Sequence, residues 1–315
     1  MEMKQKILVA FGLTVSGLTL FSSPSSATFT EPRSSDQDIV VTGKITTKDA
    51  IADFVRTTIA TPKGGRHDGQ YARFSNPICP KVVGLSDANK KQVEKRMRGV
   101  ALAADMKVAG EGCTPNIFVM VVADGDEAIK MLRKKKSRLF GGMSPHERDR
   151  IARNGGPAYA WKRIQTGSAE SGSLQNSDET DILPVDEFWK TEVASMISNV
   201  KSKIKRTTQQ AMTHSFLLLE KDALVDLTTV QIADYAAMRS YIDTRNSQTQ
   251  QAPQYSILSL FDSPGPDGTM PVSASEMDLV LLSSLYNSPA DVSASMQSAA
   301  MLHRIEKELT AGTDD

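Results

Sequence analysis

Apolar positions along this chain recur in two periods, and the switches between them fall at polar or Gly/Pro-rich punctuation. Ala50, Ile51, Phe54, Val55 and Thr58 share one face of a helix that Thr47 can cap. Val82 and Val83 belong to a strand, and Ser86 caps a helix running to about Ala104. Ile117 to Val122 is a continuous apolar run of the kind a strand buried on both faces requires. A helix from about Asp126 to Lys136 follows. Ser144-Pro145-His146-Glu147 then starts another, with Ser at the cap, Pro in the first turn and Glu three residues on. Pro157 to Thr166 reads as a strand with Tyr159 and Trp161 on one face, and Ser215 to Glu220 as a second buried strand. Thr228 and Gln231 form a capping box for a helix through about Asp243. The remainder is helical, with starts at Ser273 to Glu276 and Ser288 to Asp291 and a last apolar stripe at Met296, Ala299, Ala300, Ile305 and Leu309. The pattern predicts an α+β fold, a single domain over 47–312 with a central mixed sheet, flanking helices and a helical C-terminal region.

Two stretches do not fit a packed element. Gly167 to Thr180 is Ser/Gly/Asn/Glu-rich with almost nothing to bury, which predicts a mobile insertion at about 167–185. Phe188 to Val200 is ambiguous, while Lys201, Lys203 and Lys205 alternate about Ile204 as a charged sheet edge does.

The N-terminus carries a different signal. Lys4 and Lys6 precede the apolar run Ile7 to Phe21, and Ser25-Ser26-Ala27 supplies small side chains for a signal peptidase. The run is too short to span a bilayer before Pro24, so residues 1–27 read as a signal peptide cleaved after Ala27, leaving no transmembrane span in the mature chain. Residues 28–46 then form a flexible arm. Its Ile39-Val40-Val41-Thr42-Gly43 resembles the segment by which outer-membrane receptors engage an energy-transducing partner. Such receptors carry a long barrel of alternating strands with no counterpart here, which leaves an edge strand or arm as the reading.

Export changes how the cysteines are read. In an oxidising periplasmic or extracellular setting, Cys79 and Cys113 are expected to pair, closing a loop that adds roughly 3–4 kcal/mol by chain entropy. The alternative is Cys79 as a nucleophile, for which a His would have to arrive through the fold.

Of the 315 residues, 37 are Lys or Arg and 37 Asp or Glu, so no global field draws the protein to nucleic acid or membranes, and partner choice rests on local patches. One such patch is Lys130, Arg133, Lys134, Lys135, Lys136 and Arg138. It reads either as a docking site for anionic lipid headgroups, lipopolysaccharide or another polyanion, or as cations gathered at a helix C-terminus, the favoured reading. Interleaved aromatics of a nucleic-acid platform are missing. Arg66-His67-Asp68, among Gly64, Gly65 and Gly69, reads as a surface loop, and His146 as a solvated first-turn residue. The sequence contains no nucleophile elbow, phosphate loop, C-x-x-C or Ca-loop spacing, and no cofactor is implied.

Several blocks resemble a family of exported alphaproteobacterial proteins of unknown function: Gln70 to Phe74, Pro77 to Leu85, Gly112 to Asn116, Ala233 to Met238, Ser256 to Phe261 and Leu282 to Tyr286. The two cysteines match that family's pair. More distantly, the order of the C-terminal blocks is similar to proteins with a zincin-like C-terminal half. A working zincin carries H-E-x-x-H, whose two imidazoles reach one zinc from one helix face. The corresponding stretch here is Asp234-Tyr235-Ala236-Ala237-Met238, so the resemblance implies a degenerate metal-site helix at Asp234, Tyr235 and Met238, with no metal bound. The expectation is an exported, non-catalytic binding or interaction protein whose partner is an envelope protein or an anionic surface ligand. The alternative is an envelope hydrolase whose site, drawn from residues such as Asp234, Tyr235 and His214, assembles only in space.

Overall fold

The computed structural model describes residues 47–141, 143–153, 156–170, 205–245, 253, 255–262 and 270–311. The expected signal peptide, the arm at 28–46 with its extended run at 39–43, the segment 188–200, and Lys201 and Lys203 lie outside the described residues, as does 171–185 of the insertion. In chain order the elements are α1 (Lys48–Thr58), α2 (Gly65–Asp68), β1 (Arg73–Phe74), β2 (Pro80–Val83), α3 (Asp87–Ala103), β3 (Ile117–Val122), α4 (Gly125–Lys135), α5 (Pro145–Arg153), β4 (Ala158–Ser168), β5 (Thr208–Glu220), α6 (Thr229–Tyr241), α7 (Glu276–Tyr286) and α8 (Ala294–Ala311). Short 3-10 turns fall at Ser137–Phe140, Lys221–Leu224 and Ile257–Phe261.

Local chemistry sets most of the helix starts. Thr47 and Ser86 accept from the backbone N–H three residues on, and Thr228 with Gln231 closes a reciprocal box. Ser144 and Glu147 exchange the same pair of bonds at the start of α5. For α4 the cap is Asp124 and for α7 it is Ser275, whose box partner is Asp278.

The sheet is mixed, as expected. β2, β3 and β5 run parallel and β4 lies antiparallel against β5. Because β4 covers one edge of β5 from Thr208 to Leu219, β1 and β3 share the other edge in tandem, β1 at Ala211 and Met212 and β3 from Ser215 onward. At the β2 edge Pro80 has no N–H, and the Val82 N–H donates to Glu94 at 2.8 Å, so the edge offers few donors to another chain. Gly84 leaves β2 at φ +92°, with the Val121 carbonyl only 2.2 Å from where a Cβ would stand.

Alternation along β3 and β5 divides the core in two. Ile117, Val119, Leu217 and Leu219 face one cluster, built from α1, α3, α6, α7 and α8. Phe216 and Leu218 face the other, under α4 and α5, together with Tyr159, Trp161 and Phe140. Phe140, Trp161, Phe216 and Phe118 stack in series at 4.9, 5.2 and 5.5 Å between ring centroids. The Trp161 indole donates to the Leu139 carbonyl at 3.1 Å.

Several expectations are corrected. Gly167 and Ser168 belong to β4, not to an insertion, because they pair with Gln209 and Thr208 and the Gln209 amide donates to the Ser168 carbonyl at 3.0 Å. β5 starts at Thr208, seven residues before Ser215, for the same reason. α8 starts at Ala294, and the preceding carbonyls are engaged by side chains instead of helical N–H groups: Ser288 by Arg73, Pro289 by Gln297 of α8 and Ala290 by Gln70. Its buried stripe is Ala294, Gln297, Met301, Ile305 and Leu309, whereas Met296 and Ala299 are exposed. Arg66-His67-Asp68 lies in the single turn of α2, with His67 and Asp68 exposed.

Candidate functional site

All thirteen residues of α6 are buried, so the helix proposed to carry a lost metal site opens on no cleft. Asp234 is fully buried and accepts two bonds from the Arg96 guanidinium of α3, at 2.7 and 2.9 Å, and a third from the Ala274 N–H at 2.8 Å. A carboxylate so engaged ties α3 and α6 to the start of α7. Tyr235 packs edge-on to Phe261 with centroids 4.7 Å apart, and Met238 lies in the core. Asp278 plays a similar part nearby: it accepts from the Ser256 hydroxyl at 2.6 Å and from the Ile257 and Ser275 N–H groups at 2.9 and 3.0 Å. Burial pushes its carboxyl above the ordinary range, with these bonds opposing the rise.

The hydrolase candidates are not brought together. Asp234 and Tyr235 lie in the cluster on one side of the sheet. His214 stacks on Phe216, whose ring belongs to the other side, at 6.2 Å. Burial lowers the His214 imidazole to about 4, with Arg163 adding to the effect, so it is neutral at physiological pH. His67, His146 and His303 are exposed. Among the described residues no group of three or more His, Cys, Asp or Glu side chains is placed to hold a metal ion.

Cys79 and Cys113 are joined in a disulfide across a Cα separation of 6.1 Å, linking the start of β2 to the loop before β3. The Cys79 N–H also donates to Asn116 at 2.7 Å, and Arg98 donates to the Cys113 sulfur at 3.2 Å. Neither cysteine is a free thiol, so Cys79 is no nucleophile in this state.

One buried cation had no signal in the sequence. Lys162, at the centre of β4, donates its ammonium to the Arg239 carbonyl in the last turn of α6. Burial brings its pKa down to about 7, against the partial support of Asp243. This is the usual cost of placing a charge away from water, and a carbonyl partner offsets only part of it.

The basic patch is where two elements build a surface feature. Lys130, Arg133 and Lys134 of α4, with Pro145 and Arg148 of α5, line an open groove of about 410 Å3. Arg133 forms an ion pair with Asp149, and Arg148 is braced by donating to the Met143 carbonyl at 3.2 Å. Lys135 at the helix end, and Lys136 and Arg138 beyond it, do not line the groove. The macrodipole accounts for Arg133, Lys134 and Lys135 in the last turn of α4. It accounts neither for Lys130, a turn earlier, nor for Arg148 on another helix. Arg148 is the residue that sequence reasoning missed. The start signal at Ser144 to Glu147 placed it on a helix, but nothing local said which neighbour that helix would meet.

Comparison of the chain with protein-family models, with curated proteins and with solved structures returns no match.

Proposed function

We propose that the protein is an exported, non-catalytic binding protein that holds anionic ligands in the groove between α4 and α5. One observation carries the reading: four cationic side chains from two helices line one groove, with Arg133 among them paired to Asp149. Helix-terminal charge compensation would not bring them together. The groove falls in the range of small-ligand sites, and Arg guanidinium with Lys ammonium is the donor set that phosphate-like oxyanions favour. The Cys79–Cys113 disulfide supports export, since such bonds persist in oxidising compartments. Among the described residues no helix is long and apolar enough to cross a membrane. On this reading the α6 helix is a scaffold element.

Titration with short-chain polyphosphate tests the site. The protein is expected to bind with an affinity that falls as salt rises, and Lys130→Ala and Arg148→Ala should each weaken binding about five- to tenfold. Binding as tight in both variants as in the parent would refute the groove. The exported part of the proposal is tested by N-terminal sequencing of the cell-envelope form, which should begin at Thr28. An intact Met1 there would overturn it.

A further inference from the structure

The outward face of α4 holds one exposed residue, Met131, that anion binding in the groove does not use. Met131 is 49% exposed. An isolated exposed methionine is ordinary on a protein surface. This one has Lys134 and Lys135 at i+3 and i+4, the positions that share its helix face, and Lys130 beside it, all exposed. The exposed side of the last two turns of α4 therefore presents one apolar side chain among three exposed lysines. Two of these lysines, Lys130 and Lys134, also line the groove together with Arg133 and Arg148. Past the helix end, Lys136 and Arg138 extend the positive surface. Acidic side chains sit at the opposite end of α4, where Asp124 caps the helix and Asp126 and Glu127 occupy the first turn. Over one helix the charge runs from negative to positive in a protein whose formal net charge is zero, so a negative surface would attract the α4 C-terminal end and repel the other.

Resting on the groove reading above, we propose that the α4–α5 face docks on an anionic lipid bilayer, with Met131 entering the headgroup boundary and the surrounding cations meeting lipid phosphates. The chemistry matches on both counts. An anionic leaflet attracts clustered Lys and Arg, and a flexible apolar side chain among snorkelling lysines can enter the interface without carrying charge into hydrocarbon. A soluble polyanion would satisfy the cations but would leave Met131 without a role.

Protein isolated from the cell envelope, mixed with vesicles, tests the proposal. Binding to vesicles rich in phosphatidylglycerol, absent on phosphatidylcholine and reversed by high salt, is expected. Each cation neutralised near the anionic leaflet should weaken partitioning about fivefold, so Lys130→Ala combined with Lys134→Ala should weaken it about 25-fold. Both side chains are exposed and their removal leaves the core intact. Met131→Trp supplies a positional readout: in vesicles of brominated phosphatidylglycerol the fluorescence of this variant should be quenched relative to the parent protein. Equal binding to both lipids, no binding to either, or a bound Met131→Trp variant quenched no more than the parent would overturn membrane docking. Polyphosphate binding that persists in any of those cases would leave the groove reading standing, and its loss would remove both.

Discussion

The ion pair at Asp234 permits a quantitative test of α6 as scaffold. Asp234→Ala removes two bonds from Arg96 and one from the Ala274 N–H, leaving a guanidinium side chain only 19% exposed and an orphaned backbone donor. Removing one member of a buried pair costs about 3–5 kcal/mol. Because Arg96 keeps some contact with water, the lower end applies, about 3 kcal/mol. Arg96→Met should cost more, about 4–5 kcal/mol, since Asp234 is fully buried and would retain only the Ala274 bond. The double variant, Arg96→Met with Asp234→Leu, should cost only about 1–2 kcal/mol. Apolar replacement of both partners is near neutral, and the remaining loss is the unpaired Ala274 N–H. The assay is equilibrium urea unfolding with the disulfide intact, followed by circular dichroism and by fluorescence, with coupling taken from the double-mutant cycle. An Asp234→Ala cost below about 1 kcal/mol, or a double variant as damaged as the sum of the singles, would refute the reasoning and reopen Asp234 as a site residue.

Lys162→Met should stabilise the protein at pH 6. With a folded pKa of about 7 against an ordinary 10.5, the native state binds the proton less readily than the unfolded chain, so the charge penalty is present in full below about pH 7 and is relieved as pH rises toward 10.5. That gap corresponds to ~5 kcal/mol, reduced by the lost bond to the Arg239 carbonyl and by the lost attraction between Lys162 and Asp243, and the advantage of Met should fade by pH 10. No gain at pH 6 in urea unfolding would show that the ammonium is adequately paired. Gly84→Ala should cost at least ~2 kcal/mol, because the new Cβ would stand 2.2 Å from the Val121 carbonyl at a φ of +92°, and an unchanged urea midpoint would contradict this. Replacing Cys79 and Cys113 together by Ala should cost roughly 3–4 kcal/mol while keeping the fold, since the Asn116 bond to the Cys79 N–H remains; thermal unfolding that is unaffected by the change would count against it.

What the sequence by itself determined was local. Thr47, Ser86, the Thr228–Gln231 box and the Ser144–Glu147 box are legible because a cap is an interaction between residues three apart, whatever lies beyond. Ile117 to Val122 is equally legible, since a strand buried on both faces must be continuously apolar. Tertiary structure decided everything that depends on a distant partner. Met296 and Gln297 differ in burial against their polarity because Gln297 bonds the Tyr71 N–H at 2.7 Å and the Pro289 carbonyl at 3.0 Å, and a polar side chain is stable in a core once those bonds replace water. Asp234 reads as a site fragment on its own helix and becomes a clamp only when Arg96, 138 residues earlier, arrives beside it. The groove follows the same rule. The run from Lys130 to Arg138 declares its charge in the sequence, but charge at a helix end has a local explanation, and only the packing of α5 against α4 sets Arg148 across from Lys130 and gives that charge a shape.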